Sequence, residues 1–251
     1  MSGDSLDLVT WLAVLGIFLL GGVIKGGLGF GLPLVTISLL PLVIPTGFAL
    51  AINVIVFPLM NLIQFVQAGE MRATLTRFRL MLFGIVVGVP IGAVLLSGLD
   101  EEPLIFCLGL FVSAFALFSG VNPRLRIPAA RRPLAEGVAG VAAGVIGTLT
   151  STNGPVFVTY LTGIGAERRV MISALGLFFL FSGVLIAGSF WVIGFMNLPR
   201  VLIALACTLP AGLGMWIGNR LAGRLPAETF RKLVLLVLFC LGINMMLRVL
   251  L

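Results

Sequence analysis

Apolar segments follow one another along this chain with only short polar stretches between them, and that pattern leaves few folds open. Leu80 to Leu99, Leu104 to Val121, Val170 to Phe195, Val201 to Asn219 and Leu233 to Leu250 each approach the roughly 20 residues that a helix needs to cross a hydrocarbon core. Leu8 to Ile24, Leu28 to Ile44, Thr46 to Val66 and Leu134 to Thr150 have the same character, and Val156 to Ile164 is a shorter relative. Of the 251 residues, 60% are hydrophobic and 10% charged, where a soluble domain carries about 25% charged residues. No soluble core hides that much apolar surface. Lipid offers the backbone no hydrogen bonds, so spanning segments of this length must be helices. The expected fold is all-α: a polytopic membrane protein with one integral domain over 1–251, for which a plain hydropathy count gives about eight spans.

Charge sets the direction of the spans. The net charge of +7 would suggest nucleic acid in a soluble chain, but here the arginines cluster in short loops, as they do on the cytoplasmic side of a membrane. Loops 68–79, 122–134 and 220–232 are basic and are expected inside. The turn 100–103, with Asp100, Glu101 and Glu102, and the turn 195–200 are expected outside. Both termini then lie outside. The acidic start, with Asp4 and Asp7, does not read as a cleavable signal, so the first helix is expected to stay as an anchor. Cys107, Cys207 and Cys240 stand alone and the chain has no histidine, so no disulfide framework, metal site or cofactor is expected.

The two halves share a plan. Gly22-Val23-Ile24 matches Gly144-Val145-Ile146, Pro33 matches Pro155 at the same offset, and Pro90-x-Gly92 matches Pro210-x-Gly212. The reading is two inverted repeats, 8–121 and 135–251, joined by a cytoplasmic linker over 122–134. Each repeat has a Gly/Pro-broken helix pair followed by three spanning helices. The pairs, 8–44 and 134–164, are either two full spans or a V-shaped hairpin; loop charge does not separate these.

The breaks are where chemistry is expected, because irregular backbone survives in a membrane only inside protein or beside a watery cavity. The first runs from Gly21 to Pro33 and contains Lys25, the only Lys or Arg far from a loop. A lysine there is either an anion ligand or a side chain that snorkels from a helix end to the interface. Gly26, Gly27, Gly29 and Gly31 would present backbone N–H groups near the positive end of a helix starting at Pro33. The second break offers Thr148, Thr150, Ser151, Thr152 and Asn153. Asn53, Asn61 and Gln64 are spaced to share one helix face, for substrate or for interhelical hydrogen bonds. Gly22 with Gly26, and Gly140 with Gly144, also have the spacing of a close-packed helix seam. All nine acids fall in loops or at helix ends. That leaves a carrier driven by its substrate gradient and the membrane potential, with no buried carboxylate for proton or sodium coupling.

In its Gly-rich break, apolar helices and basic loops, and in its second Gly144-Val145-Ile146-Gly147 to Asn153-Gly154-Pro155 break, the whole chain resembles the sulfite exporter TauE/SafE family. The resemblance implies a permease for sulfite or organosulfonates in the bacterial inner membrane, direction and substrate varying within the family. It also marks two departures: Lys25 stands where a small or apolar residue is usual, and the Thr/Ser/Asn-rich second break where glycine is common. The expectation is a secondary transporter of a small anion, working by alternating access around a midplane site between the two breaks. Its partners are the anion and the bilayer, with no nucleic acid; a homodimer is compatible. The rivals are a non-transporting scaffold subunit and an intramembrane enzyme built on Ser151 and Lys25.

Overall fold

The computed structural model describes residues 7–28, 31–68, 71–121, 126–221 and 227–250. These residues form helices and connecting turns, with no strand among them. In order the helices are α1 (Leu8–Leu28), α2 (Leu32–Leu39), α3 (Thr46–Ala68), α4 (Met71–Arg77), α5 (Arg79–Ser97), α6 (Glu101–Val121), α7 (Arg132–Thr150), α8 (Gly154–Gly163), α9 (Arg168–Val192), α10 (Leu198–Leu221) and α11 (Ala227–Leu250). Single 3-10 turns occupy Leu40–Leu42 and Ala129–Arg131. Among the described residues seven helices are long and apolar enough to cross a membrane, with shorter apolar helices at Leu32–Leu42 and Thr46–Leu62. The protein is a multi-pass membrane protein.

The chain packs as two compact units, and each draws on both halves of the sequence. The first comprises Met1–Val56, Leu99–Asn122 and Phe195–Leu251; the second comprises Phe57–Gly98 and Pro123–Gly194. The boundary cuts α3 beside Pro58. A proline inside a helix leaves the carbonyl four residues earlier without its N–H and clashes with it, so this is where α3 is weakest.

In the first unit, α1 packs most extensively against α10. The two backbones approach so closely that no side chain fits between them. A Cβ on Gly22 would overlap the Ala211 carbonyl, and one on Gly26 the Met215 carbonyl. From the other side, a Cβ on Gly214 would strike Leu19 O and one on Gly218 Val23 O. The partner numbers rise together, so the helices run parallel. The Gly-x-x-x-Gly spacing is therefore a packing seam, which in lipid replaces the missing hydrophobic drive with close van der Waals contact. A second seam joins α6 to α11 at Gly109 and Gly242. Asp7 starts α1: its Oδ1 accepts from the Thr10 N–H at 3.0 Å, and hydrogen bonds from Thr10 hold this carboxyl below its usual range. Glu101 does the same work for α3, accepting from the Thr46 N–H at 2.9 Å.

In the second unit, α5 and α7 form the equivalent parallel pair. Gly84, Gly88 and Gly92 lie against Gly137, Val141 and Val145 in turn, and Gly140 and Gly144 return the contact on Met81 and Gly88. The expected loop 68–79 instead contains the short helix α4. It is tied down by a Thr74–Ser173 hydroxyl pair at 2.7 Å and by buried Phe78, whose ring meets those of Tyr160 and Phe178 edge-on. Gly183 on α9 leaves room for the Pro58 ring.

Candidate functional site

Each unit contains one broken helix pair, and in both the first member is long and the second short. With 1.5 Å of rise per residue, the 21 residues of α1 and the 19 of α7 reach about 30 Å, the thickness of a hydrocarbon core. The 8 residues of α2 and 10 of α8 reach roughly half of that. By length, each pair joins a helix long enough to span to one of about half that length.

In the first unit α1 stays helical through Leu28, so the N–H groups of Gly26 and Gly27 belong to its ladder and are not free donors. Gly26 instead lies in the α10 seam. Gly29 lies outside the described residues. The chain turns at Gly31, whose φ of 106° lies in the left-handed region that favours glycine. Helix α2 starts next with Leu32-Pro33 and has no side-chain cap.

Lys25 is 2% exposed. A lysine snorkelling to an interface would keep its ammonium in water, so burial at this level decides against that reading. Its direction follows from the helix period. Gly21, one turn earlier, faces Leu32 and Thr36 of α2, and residues four apart share a face. Lys25 therefore lies on the stripe of α1 that faces α2, while Gly22 and Gly26 face α10. Asn53, from the first half of α3, is fully buried and accepts from Thr36 Oγ1 through Oδ1 at 2.7 Å.

The second break is knit together. Ser151 is the only non-glycine residue with positive φ among the described residues, at 52°. The Thr150 hydroxyl donates to Ile146 O at 2.7 Å and accepts from the Thr152 N–H at 3.1 Å. Thr152 Oγ1 donates to Thr150 O at 3.2 Å. Thr148 Oγ1 donates to Gly144 O at 2.8 Å. Asn153 begins α8, and its Nδ2 donates to Ser182 Oγ at 2.8 Å, which in turn donates to Phe178 O at 2.6 Å. Gly147 makes room for the Asn153 side chain.

A family model for the sulfite exporter TauE/SafE matches residues 14–245, nearly the whole chain. The chain belongs to the sulfite exporter TauE/SafE family. It is thus a member of a family of membrane transporters. No curated protein and no solved structure shows a significant match to it.

Two further expected residues of this TauE/SafE protein lie on α3. Asn61 is buried in the second unit, where its Nδ2 donates to Phe57 O at 2.7 Å. The side chain of Gln64 lies outside the described residues. Thr36 and Ser182 were legible only as small polar residues in apolar helices; their roles follow from their partners, which sequence spacing does not reveal.

The larger correction concerns Glu136. It sits near the start of α7, as the sequence indicates, yet it is buried. Its Oε1 accepts from the Met81 N–H at 3.1 Å, at the open N-terminus of α5, and its Oε2 accepts from Tyr160 Oη on α8 at 3.0 Å. A buried carboxylate of the TauE/SafE chain thus ties α5, α7 and α8 together, with a donor on each oxygen. Glu136→Ala removes the acceptor and leaves both donors buried, at about 1–3 kcal/mol per unsatisfied group. Tyr160→Phe loses a single bond, worth about 1.5–3 kcal/mol to a charged acceptor. In a double-mutant cycle by thermal unfolding in detergent, the two effects are expected to add to more than the double mutant loses.

Proposed function

We propose that this chain is a secondary transporter that carries a small oxyanion, sulfite or an organosulfonate, across the bacterial inner membrane by alternating access. On this reading it is a carrier rather than an enzyme, and both termini lie outside. The observation that carries the reading is Lys25, a cation enclosed in the first unit of a chain from an anion-exporter family. A charged side chain among apolar helices is costly, and persists where it does a job. Beside it, the uncapped start of α2 presents the positive end of a helix. Half-helices whose N-termini face anionic substrate groups recur in transporters.

The energetics need no coupling ion. A negative interior drives an anion outward by about 2.3 kcal/mol per charge at 100 mV. Glu136 does not supply a relay on this reading, since both of its oxygens hold structural donors.

The test is flux of labelled sulfite from proteoliposomes in which a potassium diffusion potential is set by valinomycin. Efflux is expected to accelerate as the interior is made negative. Flux of the charged substrate that ignores the potential overturns the uncoupled mechanism.

A further inference from the structure

We propose that Asn53 is a direct ligand of the transported anion and that Thr36 orients it. The inference rests on the anion-carrier reading and narrows it to a specific donor. Asn53 is 0% exposed, yet its Nδ2 has no hydrogen-bond partner among the described residues. Buried polar groups are nearly always paired, and an orphan asks for an explanation. An amide N–H left bare in an apolar interior is costly unless something else fills it.

The geometry says which end of the amide is offered. Thr36 Oγ1 lies 3.0 Å from both Leu32 O and Pro33 O, but only 2.7 Å from Asn53 Oδ1. A hydroxyl has one proton, and the shortest contact places it on Asn53. With Oδ1 so held, the two Nδ2 protons are the part of the side chain without an acceptor. Thr36 itself is in the second turn of α2, and its hydroxyl reaches back to the first. The amide therefore lies against the start of that helix. There the N–H groups of Leu32 and Leu34 precede the first intrahelical bond, Val35 N to Gly31 O at 3.0 Å. Gly31 contributes no cap. The Lys25 stripe of α1 faces the same helix through Gly21. An orphan amide and uncapped backbone donors thus gather on α2, with a buried cation on the stripe of α1 that faces it, and every one of them suits an anion.

The second break does not have this character. The hydroxyls of Thr148, Thr150 and Thr152 each have a backbone acceptor, and the Asn153 amide is held by Ser182. Under the match that pairs Gly22 with Gly144, the position of Lys25 falls on Gly147, and the space there is taken by Asn153. The first break is built to hold a ligand and the second to hold its own shape.

The experiment measures sulfite transport in proteoliposomes and, separately, the rise in thermal midpoint that sulfite causes in detergent. Asn53→Ala is expected to raise the half-saturating sulfite concentration about tenfold, as befits one lost hydrogen bond to a charged partner, and to reduce the sulfite-induced stabilisation. Asn53→Asp puts an acceptor in place of the donor and is expected to abolish both. Thr36→Val is expected to weaken sulfite several-fold, with Thr36→Ser restoring it. Ser113→Ala is the control: its Oγ is also buried without a partner among the described residues, but on α6 against Gly242, and sulfite affinity should not change. Wild-type transport with the same half-saturation in Asn53→Ala and Asn53→Asp overturns this inference and leaves the carrier reading intact. If the wild-type protein shows neither flux nor stabilisation with sulfite, sulfate or taurine, the anion reading falls and the inference with it.

Discussion

Gly22→Ala is expected to lower the thermal midpoint of the detergent-solubilised protein by roughly 5–10 °C. The added methyl meets a backbone carbonyl, that of Ala211, and a carbonyl cannot rotate out of the way as a side chain can. The helices must separate, which breaks the contact along the whole seam. Overpacking of this kind costs about 1–3 kcal/mol, and a backbone obstacle puts it at the upper end. Gly218→Ala, against Val23 O, should behave alike. Gly212→Ala on the same α10 is the counter-case. No described residue lies within 4 Å of a Cβ there, and alanine in a helix is favoured over glycine by about 1 kcal/mol. The expected sign is therefore opposite, a slight rise in midpoint. Equal losses at Gly22 and Gly212 would show that glycine acts through helix flexibility rather than close approach.

Lys25→Met should separate activity from stability. Methionine keeps most of the length and apolar body but discards the charge. An ammonium in a helix interior costs about 2.5–3.5 kcal/mol on insertion scales, which offsets part of what its own contacts contribute, so the midpoint is expected to move little. Transport should change far more. A charge-assisted hydrogen bond contributes about 1.5–3 kcal/mol and each 1.4 kcal/mol is tenfold, so half-saturation should rise by about 10- to 100-fold. Flux in proteoliposomes and a melting curve on the same preparation check both arms. A residue with a merely structural role would lose stability first and transport in proportion.

Much of the fold was legible because membrane physics compresses the alphabet. Segment length and apolarity identify spanning helices with little help from context, and Arg79–Ser97 and Arg132–Thr150 begin and end within a few residues of where hydropathy puts them. Glycine and proline located both breaks, and the spacing of Gly22 with Gly26 and of Gly140 with Gly144 announced the seams. Their counterparts, Gly214 with Gly218 and Gly84 with Gly88, needed the fold, because a spacing shows that a helix can be approached but not by which partner. The same reason hid the burial of Glu136: nothing near it in sequence says that the start of α5 and the hydroxyl of Tyr160 converge on it. Helix α4 was missed because its polar composition is that of a loop, and its anchors, Thr74 on Ser173 and Phe78 among distant rings, are long-range. For Lys25 the sequence left ligand and anchor both open; burial removed the anchor.

The glycine seams also act as registers. Sliding α1 along α10 by one residue would bring Val23 to the place of Gly22, where even a methyl group is excluded. The pair is toothed, and the same holds for α5 with α7. Such pairs resist shear and travel as rods. Any motion that opens a path through this protein must be absorbed by joints elsewhere in the chain: the turn at Gly31, Ser151 before α8, and Pro58 within α3. A hinge search by cross-linking should therefore find α1 and α10 moving together and the change in distance concentrated at those joints.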